Sequence, residues 1–139
     1  TFNGEFRCED IEGLTCCSGG SGGQGEANNL WLSEDIPING YSSIYLSITT
    51  RVEGDVECAA CGAGGDYLEA SYQIDGGVWI PFVTICGATN GFISTDCIYI
   101  GIGNILKIRV LLGNQANNEV YYFDDVIVYT TQSNVIYHN

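Results

Sequence analysis

Apolar and polar residues alternate with a period of two along most of the chain. In SSIYLSITTRV, Ile44, Leu46, Ile48, Thr50 and Val52 fall on one side, and Tyr45, Ser47, Thr49 and Arg51 on the other. That is the pattern of a strand with one face buried. DYLEASYQID repeats it, with Leu68, Ala70, Tyr72 and Ile74 inward and Glu69, Ser71, Gln73 and Asp75 outward; NILKIRVLL repeats it again. No stretch carries a helical period. Turn chemistry separates the alternating segments. IDGGVW predicts a hairpin with a Gly-Gly corner leading into a strand from Val78 to Ile85, and LLGNQANNE predicts a polar connection before the last strand. Eight or nine short strands without helices predict an all-β fold, a two-sheet antiparallel β-sandwich with jelly-roll connections.

Size and composition add that these strands belong to one domain. The chain has 139 residues, 45% of them hydrophobic, enough for one core and too little for two. A single domain over residues 1–139 is expected. The Gly/Ser stretch from Ser18 to Glu26 has linker composition, but only 17 residues precede it, so it reads as a surface loop anchored by the cysteines before it. The tail TTQSNVIYHN reads as linker. No apolar run approaches the roughly 18 residues of a membrane span. TFNGEFRCED lacks the basic and apolar regions of a signal peptide, so any targeting segment is expected to have been removed ahead of Thr1.

Charge narrows the partners. Seventeen acids stand against four bases, Arg7, Arg51, Lys107 and Arg109, for a net charge of −13. Phosphate backbones and anionic lipid surfaces would repel such a chain, which argues against nucleic acid and membrane and suits oxygen-ligand capture of divalent cations. The 7 cysteines imply an oxidising, extracellular setting. One must lack an intrachain partner, and Cys86 with Cys97, flanking a Gly-containing loop, is the expected bridge. The CAAC spacing at Cys58 and Cys61 lies in loop-forming sequence, where structural pairing is expected over redox chemistry or zinc.

One strand breaks the apolar pattern. YYFDDVIVY, Tyr121 to Tyr129, carries Asp124 and Asp125 side by side at its centre. Adjacent side chains of a strand point to opposite faces, and the apolar parity of Val126 and Val128 places Asp124 inward. A carboxylate buried there would need a cation, a guanidinium or several backbone donors. Calcium is the expected answer, drawing on acids among Glu5, Glu9, Asp10 and Glu12 near the start and Asp66 ahead of its strand.

Catalytic constellations are wanting. The sole histidine is His138, in the tail, so no Ser/His/Asp or Cys/His set can be assembled. A carboxylate pair for glycoside hydrolysis, such as Glu69 with Asp75, has nothing behind it beyond the abundance of acids. A binding role is expected instead of an enzyme. Arg51, Lys107 and Arg109 occupy outward strand positions, as do Glu69, Ser71 and Gln73, and these are expected to share one sheet face. Planar donors and acceptors of this kind bind sugar hydroxyls, with an aromatic ring against the apolar face of a pyranose. Trp79, Trp31, Tyr45 and Tyr41 are the candidate rings. The simpler reading of the same residues is a cross-strand ion pair between an arginine and Glu69.

GEFRCEDIEG near the start, DYLEASYQIDGGVW in the middle and LKIRVLLGNQANNEVYYFDDVIVY at the end together resemble a jelly-roll carbohydrate-binding module. Such modules accompany secreted polysaccharide-degrading enzymes, particularly of marine bacteria. The resemblance implies a structural calcium held by Glu9 or Glu12, Asp66 and Asp124. It also implies secretion, a monomeric module covalently linked to a catalytic domain, and a polysaccharide ligand such as a neutral or lightly sulfated galactan, agarose among them. The Cys-rich insertions depart from the common pattern. The alternative function is a calcium-dependent extracellular protein-interaction or adhesion domain.

Overall fold

A computed structural model describes residues 6–9, 30–54, 67–89, 91, 93–113, 119–130 and 135–139. Its strands are β1 (Phe6–Glu9), β2 (Leu30–Leu32), β3 (Ile36–Pro37), β4 (Ile44–Glu53), β5 (Tyr67–Ile74), β6 (Ile80–Ile85), β7 (Ile93–Gly101), β8 (Ile105–Gly113), β9 (Val120–Thr130) and β10 (Val135–His138). They form two antiparallel sheets packed as a sandwich. The first runs β1-β9-β4-β7, with β10 also on β9; the second runs β2-β8-β5-β6, with β3 also on β8. Among the described residues there is no helix. The expected all-β sandwich is what forms, and its strand order is compatible with a jelly roll.

The alternating positions fill the space between the sheets. Ile44, Leu46, Ile48 and Val52 of β4 are fully buried, as are Leu68 and Ala70 of β5 and Leu106, Ile108 and Val110 of β8. An aromatic cluster joins the sheets at one side. Phe6 stacks on Phe123 at 4.8 Å, and Trp31 of the second sheet meets both rings edge-on, at 5.8 and 5.5 Å. Trp31 is therefore core packing, not a sugar platform. The LWL run has Leu32 as its outward member, 46% exposed.

The two aspartates of β9 sit on a β-bulge. Thr49 of β4 pairs with Asp124 and Ser47 with Ile127, so two residues of β9 face one of β4. Asp125 is the extra residue, and it takes a left-handed φ of 49°. An inserted residue reverses the parity of a strand. Tyr121 and Phe123 point inward before the bulge, Val126 and Val128 after it, and all four are in the core. Asp124 consequently faces outward. Parity counted backwards from Val126 places it inward, and that expectation is wrong by the one bulged residue. Its carboxylate accepts a hydrogen bond from the Asp125 amide at 2.8 Å.

The bulge also marks a change of neighbour. β1 pairs with Val120–Phe123 of β9, and β10 pairs with Ile127–Tyr129, so two short strands share one edge on either side of it. Within the tail read as linker, Val135–His138 are thus strand, and Ile136 and Tyr137 pack against the core. His138 Nε2 lies 3.1 Å from Asp125 Oδ1, and the Asn139 amide donates to the Val126 carbonyl. Cys86 is disulfide-bonded. The side chains of the other six cysteines lie outside the described residues, so the Cys86–Cys97 pairing stays an expectation.

Candidate functional site

The outward face of the second sheet is built from cross-strand rows, because β8 pairs with β2 and β3 on one edge and β5 on the other. One row holds Leu32, Arg109, Ser71 and Pro81; the next toward the hairpin end pairs Lys107 with Gln73. Residues 105, 107, 109 and 111 of β8 point out because their neighbours 106, 108, 110 and 112 are buried. This is the polar face read from the alternation, and the structure assembles Glu69, Ser71, Gln73, Lys107 and Arg109 on it.

Each polar side chain on this face has a neighbour that positions it. The Arg109 guanidinium lies 4.5 Å from the centroid of the Trp79 ring, and its Nη2 is 3.8 Å from Glu69 Oε1. Ser71 Oγ donates to the same Glu69 oxygen at 2.8 Å. Arg109 Nε is buried with no acceptor. Gln73 Nε2 donates to the Gly77 carbonyl at 2.6 Å, which fixes the amide and leaves its oxygen on the opposite side as an acceptor. Lys107 Nζ sits 2.9 Å from Asp35 Oδ1.

Beyond Lys107 the face opens into a concavity of about 470 Å³ lined by Asp35, Gln73, Asp75, Gly76, Asn104, Ile105 and Lys107. Its floor is set by the β5–β6 hairpin. The corner is Asp75-Gly76, with φ of 50° and 70°, closed by the Gly77 amide on the Ile74 carbonyl at 2.9 Å. Positive φ at both central residues is what a type I′ turn requires, and Asp-Gly supplies it. The expected Gly-Gly corner is displaced by one residue, since Asp tolerates the left-handed region. Gly103 allows the β7–β8 turn to lie against this hairpin: a Cβ there would come within 2.2 Å of Ile74 Cγ2.

Asp75 then ties the two turns together. It accepts from the Ile105 amide at 2.8 Å and the Asn104 amide at 3.0 Å, and from the Asn104 side chain at 3.3 Å. These donors, the Ile105 amide foremost, hold the carboxyl below the usual carboxylate range. A depressed folded-state pKa contributes stability that is present above the unfolded value and lost as pH falls through the folded one. Asp75→Asn is therefore expected to melt below wild type at neutral pH, with the gap closing as pH is lowered below about 4. A gap that is constant with pH would show that the carboxylate charge is not what holds the turns.

Glu69 and Asp75 lie at opposite ends of β5. Six residue steps, from within β5 into the turn that follows it, separate them by about 20 Å, against the roughly 5–9.5 Å that two-carboxylate glycoside hydrolysis needs. They are not a hydrolytic pair.

Arg51 and Tyr45 are not part of this face. Both lie on β4, whose outward side is the other surface of the sandwich. Arg51 lies over the Tyr122 ring at 3.8 Å and pairs with Glu53, and Arg7 Nε donates to the Tyr122 hydroxyl at 3.3 Å. Tyr45 stacks on Tyr129 at 5.9 Å. The single basic cluster of Arg51, Lys107 and Arg109 expected from the sequence is thus divided between two sheets, Arg51 on the first and the other two on the second. Alternation places a residue in or out, but it does not say on which sheet. Tyr41 is 42% exposed in the turn after β3.

Of the acids expected to hold calcium, Glu12, Asp66 and the Glu9 side chain lie outside the described residues. Asp124 is described, and its outward position removes the burial that called for a cation. Among the described residues no three His, Cys, Asp or Glu side chains are grouped to hold a metal ion. Nothing in the sequence singles out Asp35 or Asn104. Both sit in short turns, and only the sheet register brings them beside Lys107 and Asp75. A scan against protein-family models gives no match, and a search of curated proteins gives none either.

Proposed function

We propose that this chain is a non-catalytic module that binds polysaccharide through the outward face of its second sheet and keeps a covalently attached enzyme near its substrate. The observation that carries the reading is the continuous run from Trp79 and Arg109 through Gln73 and Lys107 into the concavity at Asp75. An aromatic ring, a guanidinium, a fixed amide and paired carboxylates supply apolar contact and directed hydrogen bonds, the two things a pyranose ring offers to be recognised by. The open shape suits an extended chain, and the volume lies in the range of ligand sites. A galactan such as agarose, a secreted setting and a structural calcium belong to the same proposal, and these rest on the family resemblance.

Affinity electrophoresis through agarose, laminarin, xylan and mannan gels, with calcium and with chelator, tests it. Retardation in at least one gel is expected. Free migration of the folded protein in all of them would move the reading to an extracellular protein-interaction domain, which the exposed Leu32, Val78 and Ile80 favour, at 46, 79 and 43%. A melting temperature unchanged by chelator would remove the calcium.

A further inference from the structure

We infer that the site on the second sheet selects uncharged polysaccharide, and that Asp35 and Glu69 are the residues that make it do so. The inference rests on the reading of this face as a polysaccharide site. Of the four bases in the chain, two lie here, and each already faces a carboxylate. Lys107 is held by Asp35 at 2.9 Å, and Arg109 faces Glu69 at 3.8 Å with its guanidinium over Trp79. The other two, Arg7 and Arg51, are gathered around Tyr122 on the opposite surface.

Asp75 adds a third carboxylate to the rim of the concavity, with no cation against it among its bonded partners, which are the amides of Asn104 and Ile105 and the Asn104 side chain. Three carboxylates therefore stand against two cations on this face, within a chain of net charge −13. A sulfate ester or a uronate entering here would have to displace a carboxylate from its cation or share the cation with it, and either way the carboxylate stays as a like-charged neighbour. A hydroxyl meets no such cost. Hydroxyls donate as well as accept, and the lining of the concavity meets both needs: the Asp35 carboxylate and the Gln73 amide oxygen accept, and the Lys107 ammonium donates.

The test is affinity electrophoresis of wild type, Asp35→Asn and the double variant Asp35→Asn/Glu69→Gln in neutral gels (agarose, laminarin, mannan) and in charged ones (carrageenan, alginate), each variant first shown folded by its melting transition. Wild type should be retarded in a neutral gel and migrate freely in both charged gels. The double variant should gain retardation in carrageenan, in a salt-sensitive way, since Lys107 and Arg109 are then uncovered. Asp35→Asn should gain part of it. Retardation of wild type in a charged gel would overturn the inference while leaving the polysaccharide reading in place. A double variant that gains nothing in carrageenan would overturn the assignment to Asp35 and Glu69. Retardation of wild type in no gel would overturn the polysaccharide reading itself, and the inference with it.

Discussion

Trp79→Ala is expected to abolish retention of the domain in whichever polysaccharide gel retards the wild type, while lowering its melting temperature by only a few degrees. Trp79 precedes β6 at the edge of the second sheet, partly exposed, with the Arg109 guanidinium 4.5 Å from its ring. A sugar covering roughly 100 Å² of such a surface gains about 2.5 kcal/mol, or about 70-fold in affinity, at the usual coefficient for apolar area. The substitution also removes the support that orients Arg109, so the loss includes a misplaced donor. Modules of this kind depend on a few contacts, and a loss of that size takes a modest affinity below what a gel detects. Stability should respond far less, because Trp79 lies outside the buried cluster. Equal loss of stability and retention would make the ring a core residue and remove it from the site.

Why the strands were legible while the site was only half so follows from what each depends on. The inward sets of β4, β5 and β8 were readable because one residue in two must be apolar when one face is dry, and those residues are found buried, Ile74 in part, while Ser47 and Ser71 of the outward sets are covered as well. The same alternation named Glu69, Gln73, Lys107 and Arg109 as outward. It could not separate Arg51 from them, since membership of a sheet is a long-range property: β4 pairs with β7 and β9, β8 with β2, β3 and β5. Asp35 and Asn104 were invisible for a related reason. They lie in turns whose sequences say only that the chain reverses there.

Asp124 and Asp125 show a different failure. The alternation marks the strand as core-forming and, counted back from Val126, places Asp124 inward, where its carboxylate would need a partner. The chain answers with geometry. An aspartate tolerates a left-handed φ better than the β-branched residues around it, so the pair supplies a bulge, keeps both carboxylates out of the core and restores the apolar parity two residues later. The local sequence clue was the doubled polar residue itself, which no regular strand with one dry face can place. His138 then meets Asp125 from the neighbouring β10, so a residue read as lying in a tail belongs to the same edge.

Phe123→Ala is expected to cost about 3–5 kcal/mol, the usual range for deleting a buried aromatic ring. Phe123 is 1% exposed and is the ring on which Phe6 stacks and against which Trp31 rests. Its loss affects three elements together: β9, to which it belongs; β1, whose register partner it is; and β2 of the opposite sheet, which reaches it through Trp31. Against a total stability of roughly 5–15 kcal/mol, the variant would approach the threshold of folding, with a melting temperature lower by roughly 10 °C or more. Phe123→Leu keeps most of the volume and should lose far less. Thermal or denaturant melts of both variants check this. A Phe123→Ala loss below about 1 kcal/mol would mean that the three-ring cluster does not join the sheets, since a cavity of ring size cannot be left in a packed core so cheaply. Retention by Phe123→Leu in the gels should match wild type, because the ring lies between the sheets and the sugar face lies outside them.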